Sequence, residues 1–202
     1  MKNMKNVLLV FLMPFMMVNL AHSQDLLLMP DSKNTEVAIT NISFNGASIL
    51  LKKQISPNEF RRQSFGAANI SLNKQQNNTT FGGSVSYSFG KEYRKNIVKS
   101  FDAIYGPQYG LSAYTDYRKN IQSVNNTTFE QTVFTFAPSF GYLLGFIYHI
   151  NDKFYIGFET QPSISTSVRY DKETNKEANI AWSALNIGAS GYLNFTAGFK
   201  LK

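Results

Sequence analysis

The residues able to carry acid–base or nucleophilic chemistry are few. The 202-residue chain holds no cysteine and two histidines, of which only His149 lies beyond residue 23. Without cysteine there is no disulfide framework, no thiolate metal site and no sulfur for lipid attachment. Serine hydrolysis needs a histidine base oriented by a carboxylate. His149 falls where an alternating segment runs into a polar turn at 151–153, which reads as a surface histidine. No His/Asp/Glu cluster has metal-ligand spacing, and no glycine-rich loop precedes a helix to cradle phosphate. The sequence therefore nominates no catalytic residue, cofactor or metal.

A second set of chemically distinctive residues consists of charges and amides inside otherwise uncharged alternating segments. These are Asp102, Glu159, Gln161, Arg169 and Lys200, with Arg61 a further candidate. All share a face with glycine, serine, threonine or asparagine, so they are expected to point into a narrow polar interior. Unpaired charge there is costly, and Arg61, Arg169 and Lys200 are the expected partners of Asp102 and Glu159. The set supports either a satisfied polar core or a proton or ion path. The basic run Lys91, Arg94, Lys95 and Lys99 reads as a solvated turn.

The elements that position these residues are read from period two. In 81–90, Phe81, Gly83, Val85, Tyr87 and Phe89 alternate with Gly82, Ser84, Ser86, Ser88 and Gly90. Segment 154–170 repeats this with Phe154, Ile156, Phe158, Ile164, Val168 and Tyr170 on one face, and 185–201 with Ile187, Leu193, Phe195 and Phe199. Segments 101–114 and 132–148 alternate nearly as clearly, the latter through Phe134, Phe136 and Phe140, and 62–73 more weakly. Asn45-Gly46 is the pair that a tight hairpin turn favours, which predicts strands over 36–44 and 47–54. Eight strands result, with inner turns at 55–59, 90–99 and 151–153. The outer loops are then 45–46, 74–79, 119–129 and 171–179.

The start of the chain fixes the compartment. Lys2 and Lys5 precede the apolar stretch 7–20, and Ala21 and Ser23 stand three and one positions before Gln24. This is the architecture of a secretory signal peptide, 1–23. The segment 24–35 would be periplasmic and 36–202 the folded domain. The net charge of +7 falls to +5 once the two leader lysines are removed, with no clustered basic footprint for nucleic acid. Charged residues make up 16%, against about 25% in soluble domains. Nothing after residue 23 is apolar for long enough to form a spanning helix.

Which face looks outward follows from size. The apolar rows are large and the other rows small and polar, as an eight-stranded lumen requires. Phe81, Tyr87, Phe134, Phe158, Leu193 and Phe195 are therefore expected to face lipid. Phe60, Phe89, Tyr148 and Phe154 at the inner ends and Phe129, Tyr170 and Trp182 at the outer ends would form aromatic girdles. A soluble barrel with its apolar face inward is the other arrangement, and it would need a charged exterior.

With its leader, its dyad strands, the stretch 136–142 running to the turn at 151–153, and a strand that ends the chain, the sequence resembles the small outer-membrane β-barrel superfamily of the OmpA-like and OmpX-like kind. It departs from that family at its end, Phe199-Lys200-Leu201-Lys202, where an aromatic terminus is usual. The resemblance implies an all-β, eight-stranded antiparallel up-and-down transmembrane barrel in a Gram-negative cell envelope. It implies contact with membrane lipid and lipopolysaccharide, and with the barrel assembly machinery during biogenesis. The expected role is structural or surface-interacting, without enzymatic activity and with an unidentified surface partner. A conducting barrel is the alternative. A lipid A-modifying enzyme stands third, because His149 lies at the inner end, away from the outer leaflet.

Overall fold

The computed structural model describes residues 34–43, 46–75, 77–122, 127–189 and 194–201. The chain divides into two units, Met1–Ser32 and Lys33–Lys202. The first unit, and with it the expected signal peptide, lies outside the described residues, as does Leu193.

The second unit is all strand. β1 (Thr35–Ser43), β2 (Gly46–Ser56), β3 (Glu59–Gln75), β4 (Asn78–Val98), β5 (Phe101–Gln122) and β6 (Thr127–His149) follow one another as antiparallel neighbours. Two broken staves complete the ring. One is β7 (Phe154–Thr160), β8 (Pro162–Ser165) and β9 (Val168–Glu173), all paired with β6. The other is β10 (Asn179–Trp182), β11 (Asn186–Ala189) and β12 (Asn194–Leu201). β12 pairs with both β7 and β1, which closes eight staves into a barrel.

The expected single strand over 154–170 is thus interrupted, while that over 185–201 is described as β11 and β12, with 190–193 between them outside the described residues. Pro162 brings no N–H to the ladder. At the next break the Ser183 hydroxyl accepts the Ser167 N–H at 2.8 Å, standing in for a ladder bond. Connections are shorter than expected. The inner turn predicted at 90–99 is strand up to Val98, and the outer loop predicted at 119–129 is paired up to Gln122↔Thr127. These stretches alternate in charge and amide rather than in hydrophobicity, so their period was hidden among polar residues.

Glycine matters at two close approaches. A Cβ at Gly198 would lie 2.1 Å from the Tyr155 ring, and one at Gly106 (φ 155°) 2.1 Å from the Lys91 carbonyl oxygen. Tyr155 is buried flat against Gly198 and fills the lumen there. Outward-facing rings pair across strands, as with Phe158 and Phe195 at 5.5 Å and Phe154 and Phe199 at 5.1 Å.

Candidate functional site

The inward rows of five strands bring six charges together. Glu36 comes from β1, Lys52 from β2, Arg62 from β3, Glu92 and Arg94 from β4, and Glu159 from β7, and all six are buried. Glu92, fully shielded, meets three cations: it accepts from Arg62 Nη1 at 3.0 Å and Arg94 Nε at 2.7 Å and forms an ion pair with Lys52 Nζ at 2.7 Å. Arg94 also grips Glu36 with both fork nitrogens, Nη1 to Oε1 at 2.9 Å and Nη2 to Oε2 at 2.6 Å. Arg62 Nη2 bonds Glu159 Oε1. Three cations therefore meet three carboxylates, in the fork geometry that gives arginine–carboxylate pairs their strength.

Aromatic rings cover this cluster. The Arg94 guanidinium lies 3.7 Å from the Phe60 ring centroid and Lys52 Nζ 5.2 Å from that of Tyr155, both within cation–π range. Leu50, Ile104, Leu143 and Ile147 fill the rest of the buried interior. The arrangement is a plug: paired charge and packed side chains across the bore of an eight-stranded barrel, which has room for little else.

Of the residues expected inside, Glu159 joins the plug, but its partner is Arg62. Arg61 is exposed on the outward row of β3. The adjacent arginines gave no way to choose the frame, and the ladder sets it by pairing Arg62 with Lys52 and Gly90. Arg62 itself, Glu36, Lys52, Glu92 and Arg94 were missed. Glu92 and Arg94 fell in the segment read as a solvated turn, and that reading is corrected. Their signal was the alternation of inward Glu92 and Arg94 with Lys91, Tyr93 and Lys95.

Asp102 does not reach the plug. At the inner mouth it bonds His149 Nε2 at 2.7 Å and accepts from Asn96 Nδ2 at 2.9 Å. His149 is the last residue of β6 and half-buried, not a surface turn histidine. A cavity of about 200 Å³ opens beside them, with Glu36, Arg94 and Lys200 in its wall. No serine, threonine or cysteine lines this cavity among the described residues.

Gln161 lies across Gly141, where a Cβ would be 2.8 Å from its Nε2. Arg169 sits toward the outer rim, half-exposed and bonded to Asp171 at 3.0 Å on its own strand. It is far along the stave from Glu159, and among the described residues the ion-pair partners of Asp102 and Glu159 are His149 and Arg62 rather than Arg169 or Lys200. The described residues show no group of three or more potential metal ligands.

Among the residues expected to face lipid, Phe81, Phe158 and Phe195 are exposed on outward rows. Phe134 is half-buried there, and Tyr87 is covered by Phe65 at 4.8 Å and Phe89 at 6.0 Å. Two girdle expectations are corrected. Phe60 turns inward beneath Arg94, and Phe129 pairs with Asn120 on the inward row at the outer mouth.

Closed antiparallel pairing, large apolar residues outside and an ion-paired interior define an eight-stranded antiparallel β-barrel. The solved major outer membrane protein of Thermus thermophilus shares the fold at a TM-score of 0.54 and 10% identity, the match covering 85% of this chain and 100% of that one. The chain is also similar to Neisserial surface protein A (TM-score 0.39, 11% identity, 83% and 94% covered) and to Ail of Yersinia pestis (0.34, 10%, 84% and 99%). No family model and no curated protein matches the sequence.

Proposed function

We propose that the protein is exported, inserts as an integral barrel in an outer membrane, and serves a structural or surface-interaction role there with its bore closed. The observation that carries this reading is the buried network of three cations and three carboxylates centred on Glu92. A pore would hold water at that level, whereas here each charge is neutralised by a neighbour. The contact surface is the outer rim. β4, β5 and β6, at 21, 22 and 23 residues, are about twice the 9–11 residues that cross a bilayer, and so project beyond it as a wall. Membrane lipid and lipopolysaccharide would surround the band of outward rings, and assembly machinery would insert it. The likeness to the solved outer membrane protein of Thermus thermophilus supports the location.

The test is electrophoretic mobility before and after boiling, combined with carbonate extraction of membranes. Closed barrels satisfy their own backbone groups, so the unboiled protein should migrate as a compact species and stay with the membrane. Unchanged mobility with full release into the wash would refute the proposal.

A further inference from the structure

Three cations stand side by side on the outward face near the inner end of the barrel. Lys53 on β2 pairs directly with Arg61 on β3, and Arg61 with Lys91 on β4. Like charges directly opposite one another destabilise a sheet. One carboxylate offsets them, Glu59, whose Oε1 lies 2.7 Å from Lys91 Nζ. Lys95, on the same face of β4 beyond Tyr93, adds a fourth, exposed cation. Lys53, Arg61 and Lys95 have no ion-pair partner among the described residues.

One row nearer the middle of the barrel, the paired residues are Leu51, Gln63 and Phe89, and the row after that is Ile49, Phe65 and Tyr87. Gln63 is the polar member of its row. At 8% exposed it is hemmed in by its neighbours, yet its side-chain amide has no hydrogen-bond partner among the described residues. The cations therefore mark the inner edge of the apolar band. On β4 the outward residues from Phe81 to Phe89 cover a span that matches the roughly 9–11 residues that cross a bilayer, and Lys91 is the next to face outward. The turns at this end are short, at 57–58 and 99–100, as on the periplasmic side of outer-membrane barrels. Followed the other way, the cation row continues into Thr35 and Leu201. The charge is thus confined to three neighbouring strands and is not a belt.

This make-up suits a phosphodiester at the membrane surface. The Arg61 fork matches two non-bridging oxygens, and Lys53 adds a point charge. Gln63, one row nearer the hydrocarbon, offers N–H donors at the depth of the acyl ester carbonyls. Ile49 and Phe65, both exposed, then border the chains. A zwitterionic headgroup would bring its own ammonium group against these cations, and an anionic one would not.

We propose that Lys53, Arg61, Lys91 and Gln63 form a site for an anionic glycerophospholipid of the inner leaflet. Its phosphate lies on the cation row and its acyl chains lie against the apolar rows. The inference rests on the membrane location proposed above, and the test separates the two.

Trp182 is the chain's single tryptophan, so a Trp182→Phe background accepts a reporter at a chosen place. Ile49→Trp would stand beside the site, and Phe158→Trp on β7, across the barrel from β3. Each protein would be placed in phosphatidylcholine nanodiscs, and quenching by chain-brominated phosphatidylglycerol compared with that by chain-brominated phosphatidylcholine. Phosphatidylglycerol should be preferred about fivefold at the Ile49→Trp reporter, the gain expected of one basic residue at an anionic lipid surface. The Phe158→Trp reporter should show no preference. Lys53→Gln with Arg61→Gln should remove the preference, and heat-modifiable mobility would establish that each variant is folded. Concentrated sodium chloride should also remove it with the site intact, which decides the matter if the double change does not fold. Equal preference at both reporters, a preference unchanged by the double change, or one insensitive to salt would overturn the site. Loss of the preference to inorganic phosphate, at an ionic strength where chloride leaves it intact, would assign the cations to a free anion and overturn the lipid. If neither brominated lipid quenches either reporter, the membrane location fails and this proposal fails with it.

Discussion

Glu92 pairs with three cations while shielded from solvent, so its loss leaves positive charge uncompensated in the bore. Removing one partner of a buried pair costs about 3–5 kcal/mol, and Glu92→Gln should lower unfolding free energy in bilayers or micelles by that order, read from urea titration. A loss below about 1 kcal/mol would mean that water already solvates the site. Replacing both partners of a pair should be milder. Arg62→Met with Glu159→Met is expected to lose less than the sum of the single changes, since no orphan charge remains. Tyr155 tests the packing half of the plug. Its hydroxyl has no partner among the described residues, so Tyr155→Phe should alter stability by less than about 1 kcal/mol. Gly198→Ala, whose methyl group would strike the Tyr155 ring, should cost about 1–3 kcal/mol. At this scale the sequence was only partly legible. Glu159 could be placed inside because its neighbours Gly157, Gln161 and Ser163 are small or polar. Arg62 could not, because Arg61 beside it fits the opposite frame equally well. Only the ladder to Lys52 and Gly90 decides between them.

The strands were far more legible than the connections between them. Rows such as Phe81, Val85 and Phe89, or Phe154, Ile156 and Phe158, declare their period because every second residue on the outward face is large and apolar. The pairing Phe195↔Phe158 with Asn194↔Glu159 follows that pattern. It predicts unequal effects for neighbouring arginines. On a lipid face near the midplane an arginine costs about 2–4 kcal/mol, so Phe195→Arg should destabilise bilayer-inserted protein by that amount. Asn194→Arg, placed opposite the Glu159 carboxylate, should cost less. A larger loss for Asn194→Arg would mean that the apolar face is the interior. Where strands leave the apolar layer the signal changes. Beyond Phe134, β6 continues through Thr132 and Glu130, paired with Tyr117 and Lys119 on β5, and Lys119 Nζ bonds Glu130 Oε1 at 2.7 Å. Such stretches alternate without being hydrophobic, which is why sequence reading shortened the strands and lengthened the loops. The breaks in the last two staves escaped it because they depend on Ser167 and Ser183 meeting across strands.

The described barrel combines an ion-paired interior with a tall outer wall. Closure comes from β12 meeting both β1 and β7, and the seal from Glu92 and its cations. The short β1–β2 hairpin, 11 residues at its longer strand, leaves β3 to β6 standing above it. The central claim is that no continuous water path runs through the barrel, and planar-bilayer recording of the purified, full-length mature protein tests it most directly. Wild-type protein should show no stable unitary current at any applied voltage. Reproducible single-channel steps from the wild type, with an ion preference that shifts in Glu159→Gln, would contradict the account, because only a hydrated bore lets one inward carboxylate govern ion flow.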